Sequence, residues 1–132
     1  MEYHIDAKNK VLGRLATDIA LILQGKKSAT YQRNQVSDDK VYVKNVDGLR
    51  VTGNKLIQKT YYKHTGYVGH LKEKSLEQKM DQDPRWVLQH AVRKMLPRNF
   101  LTQKRIKNLV FLEKDGAIVR TGMRTKSAKS AK

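Results

Sequence analysis

Few residues in this chain are spaced for bond-making chemistry. The four histidines, His4, His64, His70 and His90, form no His-x-x-x-His pair. There is no cysteine to complete a thiolate zinc site or to act as a nucleophile. His64 and His70 share a glycine-containing loop, where plain polar contacts are the default and metal ligation the rarer role. Val51-Thr52-Gly53-Asn54-Lys55 has a Gly-x-Lys pattern but lacks the second glycine and the Lys-Ser/Thr of a phosphate-cradling loop. Asp38 and Asp39 are adjacent carboxylates in a polar turn, which suits capping or solvation better than acid–base work. No nucleophile, base and orienting acid fall at a recognisable spacing, so the sequence predicts no catalytic, metal or cofactor site and no small-molecule substrate. A small α/β enzyme for a phosphorylated substrate is a weak alternative, opposed by the missing phosphate loop.

Residues suited to nucleic acid are denser. Thr60 to Leu71 reads TYYKHTGYVGHL, interleaving Tyr61, Tyr62 and Tyr67 with Lys63, His64 and His70. Such rings can stack on bases, the basic groups can meet phosphate, and Gly66 and Gly69 let backbone N–H groups come close. One of Tyr61 and Tyr62 is expected in the core, because adjacent strand residues face opposite ways. Further on, Trp86, His90 and Arg93 stand at i, i+4 and i+7 beside Lys94, on the polar face of a predicted helix. A Trp at the core edge beside a solvated basic face explains that strip equally well. Arg98, Lys104, Arg105 and Lys107 continue the basic surface, and Lys26 and Lys27 form a smaller cluster.

Charge distribution points the same way. The chain has 132 residues and a formal net charge of +16. Residues 1–40 contribute +2, residues 41–84 contribute +3, and residues 85–132, with 13 basic and 2 acidic side chains, contribute +11. A surplus of that size repels itself, and a polyanionic partner relieves it. The length suits one domain; we place it at residues 1–116. Residues 117–132 read as a basic, disordered tail, with Arg120 and Arg124 as candidate RNA contacts. No apolar run approaches a bilayer span and the N-terminus has no signal-peptide core, so the expectation is a soluble cytoplasmic protein without a membrane partner.

These residues need elements to hold them. Tyr3–Asp6 reads as a strand, and Leu12, Leu15, Ala16, Ile19 and Leu23 have helical spacing, closed by Gly25 in a left-handed cap. Val41–Val43 is a second strand. Leu49–Lys63 shows no sustained period; we expect a short strand near Leu49–Val51, a turn at Thr52–Asn54, and a short helix or strand towards Tyr62. Ser75 caps a short helix through Met80. Asp83-Pro84 starts the clearest helix, with Leu88, Ala91, Val92, Met95 and Leu96 on its apolar face and Pro97 as its stop. A short basic helix over 99–107 precedes Leu109–Leu112, an apolar run expected of a buried parallel strand. Alternating strands and helices predict an α/β sheet covered on both faces.

Four of these segments also carry a likeness. Val11-Leu12-Gly13-Arg14-Leu15-Ala16, Val51–Lys55, Tyr62-Lys63-His64-Thr65-Gly66 and Ala91-Val92-Arg93-Lys94-Met95-Leu96-Pro97-Arg98 occur in one order. Together, over about Tyr3 to Leu112, they resemble the bacterial-type large-subunit ribosomal protein L-thirteen family. The resemblance implies a three-layer α/β/α fold with four parallel strands in the order 3-2-1-4. It also implies binding to large-subunit rRNA beside neighbouring ribosomal proteins, and a role early in subunit assembly. By resemblance, Arg14, Lys55, Tyr62, His64, Thr65, Gly66, Arg93 and Arg98 contact RNA or shape the contact. His70 and Lys94 stand where the family usually has glycine, and the C-terminal segment departs from the family pattern. An RNA- or DNA-binding regulator acting away from the ribosome is the alternative.

Overall fold

The computed structural model describes residues 1–29, 31–113 and 118–119. Arg120, Arg124 and the expected disorder of residues 120–132 lie outside the described residues, whereas Ile118 and Val119, at the start of the expected tail, form a strand of the sheet. In chain order the elements are β1 (Glu2–Asp6), α1 (Leu12–Leu23), β2 (Lys40–Lys44), α2 (Lys55–Gln58), β3 (Thr60–His64), β4 (Leu71–Ser75), α3 (Leu76–Gln82), α4 (Pro84–Met95), α5 (Leu101–Lys107), β5 (Leu109–Leu112) and β6 (Ile118–Val119).

The sheet follows from alternation. Tyr3 pairs with Val41 and Ile5 with Val43, and on the other side of β2 Val41 pairs with Leu109 and Val43 with Phe111. Residues in register across parallel strands share a face, so these six form one apolar layer. Leu15, Ala16, Ile19 and Leu23 of α1 and Val87, Leu88 and Val92 of α4 complete the buried cluster. The two helices also pack on each other. Helices flank a mostly parallel sheet, as in a three-layer α/β/α architecture.

Two details of the sheet differ from the expectation. Its order is β1-β2-β5-β6, not 3-2-1-4. The last strand is antiparallel, with Phe111 opposite Val119 and Leu112 opposite Ile118. Only positions 113–117 separate those strands, too few for the dozen or more residues that a parallel crossover needs.

Caps set the helix ends. Beyond α1, Gly25 has φ +77°; its N–H donates to the Ile22 carbonyl and the Lys26 N–H to the Leu21 carbonyl. That pair of bonds is a Schellman motif, which favours glycine at the left-handed position. Ser75 and Gln78 form a capping box at α3. At α4 the Asp83 carboxylate accepts the N–H groups of Arg85 (3.1 Å) and Trp86 (3.2 Å). Asp83→Ala is therefore expected to lower stability by about 0.5–2 kcal/mol, read from chemical denaturation.

The α4 apolar face is rotated from the expected one. Val87 is fully buried, whereas Met95 is exposed. The helix stops at Met95, and Leu96 returns to the core from an extended conformation with ψ 150°. A 3-10 turn over Val46–Gly48 leads into the ambiguous stretch, where the strand expected near Leu49–Val51 is only an isolated parallel bridge between Val11 and Arg50, followed by α2 and β3. β4 is an element that the sequence pattern does not announce. It pairs antiparallel with β3 as a separate two-stranded sheet, Tyr61 opposite Lys74 and Lys63 opposite Lys72.

Candidate nucleic-acid interface

Strand alternation sorts the residues of the β3–β4 hairpin into two faces. Tyr61 and Lys63, with Lys72 and Lys74 across from them, lie on one; Thr60, Tyr62 and His64 lie on the other. Tyr61 is the tyrosine that turns inward, and Tyr62 is 63% exposed. Lys63 and Lys72 stand directly opposite each other, and among the described residues neither has an acidic partner. Like charges in that position destabilise a hairpin unless an anion lies between them.

The His-Thr-Gly segment builds the hairpin tip. The His64 Nδ1 accepts the Gly66 N–H at 3.0 Å, and the Thr65 hydroxyl donates to the His70 carbonyl at 3.0 Å. Gly66 has φ +93° and Gly69 φ +77°, backbone conformations that favour glycine. This local closure leaves Tyr67 and Val68 projecting into solvent.

Tyr61 joins the hairpin to α4. Its ring meets Trp86 and His90 edge-on, each at 5.3 Å between centroids, while Trp86 and His90 stack at 4.9 Å with an 18° tilt. The i, i+4 spacing on one helix permits that stack. Lys79 lies over the Trp86 ring at 4.4 Å and Lys59 over Tyr61 at 5.5 Å, both within cation–π range. The Trp is thus partly buried at the core edge, and the basic groups fan out from it.

From His90 the basic strip runs on along α4. A groove between α4 and α5 has a wider part of about 540 Å³ lined by Arg93, Lys94, Pro97 and Arg98, among others. It narrows to a recess of about 290 Å³ against Trp86, His90 and Ile106. None of the described residues lining either part is acidic. The Thr17 hydroxyl of α1 contacts the Met95 sulfur at 3.5 Å. That contact sets the N-terminal half of α1, with exposed Arg14, beside the basic end of α4.

Burial pushes the His90 imidazole below its ordinary value of 6.5, and the Lys94, Lys59 and Arg93 cations push the same way. With a folded-state value below the unfolded one, the unfolded chain binds more protons between them, so stability falls as pH drops through about 6.5. We expect the melting temperature to decline from pH 7.5 towards 5.5, and His90→Gln to flatten that slope.

Not every predicted contact joins this surface. Lys26 and Lys27 follow the far end of α1, a helix of 12 residues and so about 18 Å long. Lys55 is exposed at the start of α2, one turn before Lys59. Lys104 is exposed on the outer side of α5. Arg105 corrects the sequence reading: it is 2% exposed, and its guanidinium donates to the carbonyls of Gln35 (3.1 Å) and Arg33 (3.4 Å). It sits at i+4 from buried Leu101, so helical phase turns it inward to hold a loop. Asp38 and Asp39 form no carboxylate pair either, since Asp39 is buried against the Met1 amine (3.0 Å) while Asp38 is exposed.

Lys59, Lys72 and Gln103 are absent from the sequence-based set. Lys59 borders the tyrosine-rich segment and could have been found by proximity. Lys72 could not, because Leu71-Lys72-Glu73-Lys74-Ser75 has weak strand character and its register appears only once the hairpin is closed.

Comparison with known proteins adds an independent line. A family model described as Ribosomal protein L13 matches residues 1–115. The chain is 50% identical over 105 residues to the large ribosomal subunit protein uL13 of Maridesulfovibrio salexigens, covering 80% of this chain and 74% of the relative. It is 46% identical over 107 residues to the proteins of that name from Hahella chejuensis and Clostridioides difficile, covering 81% of this chain and 75% of each relative.

Proposed function

The chain belongs to the ribosomal protein L13 family, and from that membership we propose that it is a structural component of the large ribosomal subunit that binds rRNA and catalyses nothing. One observation supports this most: a basic strip without acids runs from Lys63 and Lys72 past Tyr61 to His90, Arg93 and Arg98. Its lysines and arginines neutralise backbone phosphates and release counterions, which supplies affinity without base specificity. The hairpin tip and the α4–α5 groove recognise RNA shape, the feature that proteins read on structured RNA.

The residues we assign to RNA are Arg14, Lys55, Tyr62, Lys63, His64, Thr65, Gly66, Arg93 and Arg98. Arg14, Lys63, Arg93 and Arg98 serve as phosphate contacts. His64, Thr65 and Gly66 act chiefly by closing the tip that presents Tyr67. Lys26, Lys27 and Lys104 form separate basic points, free to meet other RNA segments or neighbouring ribosomal proteins. Binding of this kind helps an RNA fold during early subunit assembly.

Sedimentation tests the reading. The tagged chain should travel with large subunits and stay with them through a moderate-salt wash. Release into the free fraction under that wash, with RNA binding retained, would identify an off-ribosome regulator instead.

A further inference from the structure

We propose that the α4–α5 groove takes up one nucleotide unstacked from RNA, its base entering the recess beside Trp86 and His90 and its phosphate lying in the wider part against Arg93 and Arg98. This rests on the rRNA-binding reading and goes beyond it, because phosphate neutralisation alone needs no recess.

The shape of the groove matches the parts of a nucleotide. The inner part, about 290 Å³, joins an aromatic wall to the apolar side chain of Ile106 and the amides of Gln89 and Gln103. Rings offer a stacking surface and amides can both donate to and accept from a base edge. The outer part, about 540 Å³, shares His90, Arg93 and Gln103 with the inner one and adds Lys94 and Arg98. Cationic donors therefore sit at one end and a ring platform at the other, continuous through Arg93.

The platform is held rigid before any ligand arrives. The Lys79 ammonium lies 4.4 Å from the Trp86 ring, His90 stacks on that ring at 4.9 Å, and Tyr61 abuts both rings edge-on. His90 lines both parts of the groove. Burial and the surrounding cations keep that imidazole uncharged at neutral pH, which favours stacking over ion pairing. A base, rather than a second phosphate, suits such a wall.

The test uses the whole chain and three RNA hairpins of one stem sequence: fully paired, with a single bulged adenosine, and with an abasic bulge. Trp86 is the chain's one tryptophan, so its fluorescence reports on the recess. The bulged adenosine should bind roughly 5–150-fold more tightly than the abasic bulge, the range given by stacking one base on a ring. It should also quench Trp86, which the abasic RNA should not. His90→Ala should erase the difference, and the exposed Gln103→Ala should reduce it if the first variant folds poorly. Equal affinity and equal fluorescence for the two bulges, or a preference that survives both substitutions, overturns the nucleotide pocket while leaving rRNA binding intact. Adenosine monophosphate binding as tightly as the bulged hairpin would assign the groove to a free nucleotide and overturn the RNA source. Failure to bind any of the three hairpins at low salt would overturn rRNA binding itself.

Discussion

Raising salt from roughly 50 to 200 mM weakens rRNA binding by the chain about 10³–10⁵-fold, if about 6–10 phosphates are contacted. The charge behind this expectation is uncompensated. Thirteen of the 28 basic residues lie in the last 48 positions, against two acids. Among the described cations of that stretch Arg85 pairs with Glu113 at 3.1 Å and Arg105 is buried, while Arg93, Lys94, Arg98, Lys104 and Lys107 are exposed and available to phosphate. The opposed Lys63 and Lys72 add a repulsion that an intervening phosphate would relieve. Binding isotherms across a salt series measure the slope directly. Lys63→Ala or Arg93→Ala should each make it shallower by about 0.7–0.9 for every phosphate left without its cation. A flat response would remove phosphate neutralisation as the main source of affinity.

Leu88→Ala destabilises the fold by about 2–5 kcal/mol. Leu88 has no exposed surface and belongs to the cluster that joins α4 to α1 and the sheet, so truncation leaves a cavity with little freedom to collapse. Arg93 lies further along the same helix, and Arg93→Ala should leave the melting temperature nearly unchanged because the side chain is exposed. The two variants make opposite signatures: Leu88→Ala loses stability and Arg93→Ala loses RNA affinity. Thermal melts and binding isotherms on both would overturn the assignment of helix faces if the pattern were reversed.

Much of the site was legible because it depends on local chemistry. Asp83-Pro84 marks a helix start through an orphan N–H and a fixed φ, and α4 begins there. Once that start is known, the 3.6-residue period of a helix puts Trp86, His90 and Arg93 on one strip. The inward turn of one of two adjacent tyrosines follows from the two-residue period of a strand. The other end of α4 was less legible. Within the helix Val87 is buried and Met95 exposed, and Leu96 reaches the core only after the helix has given way to an extended conformation.

Composition and local pattern alone determined the basic character of the chain, the alternation of strands and helices, the caps at Gly25 and Asp83, and a nucleic-acid reading without an enzyme's constellation. Charge, capping and periodicity act over a few residues, so they can be read in order along the chain. Tertiary structure decided what depends on pairing between distant segments. The strand order β1-β2-β5-β6 and the antiparallel β6 depend on which edges meet. The register of Lys63 against Lys72 depends on a hairpin whose second strand has weak intrinsic preference. The burial of Arg105 depends on the carbonyls of Arg33 and Gln35, some seventy positions away in sequence. A guanidinium looks the same in sequence whether it faces solvent or a loop's unpaired carbonyls, and only packing tells the two apart.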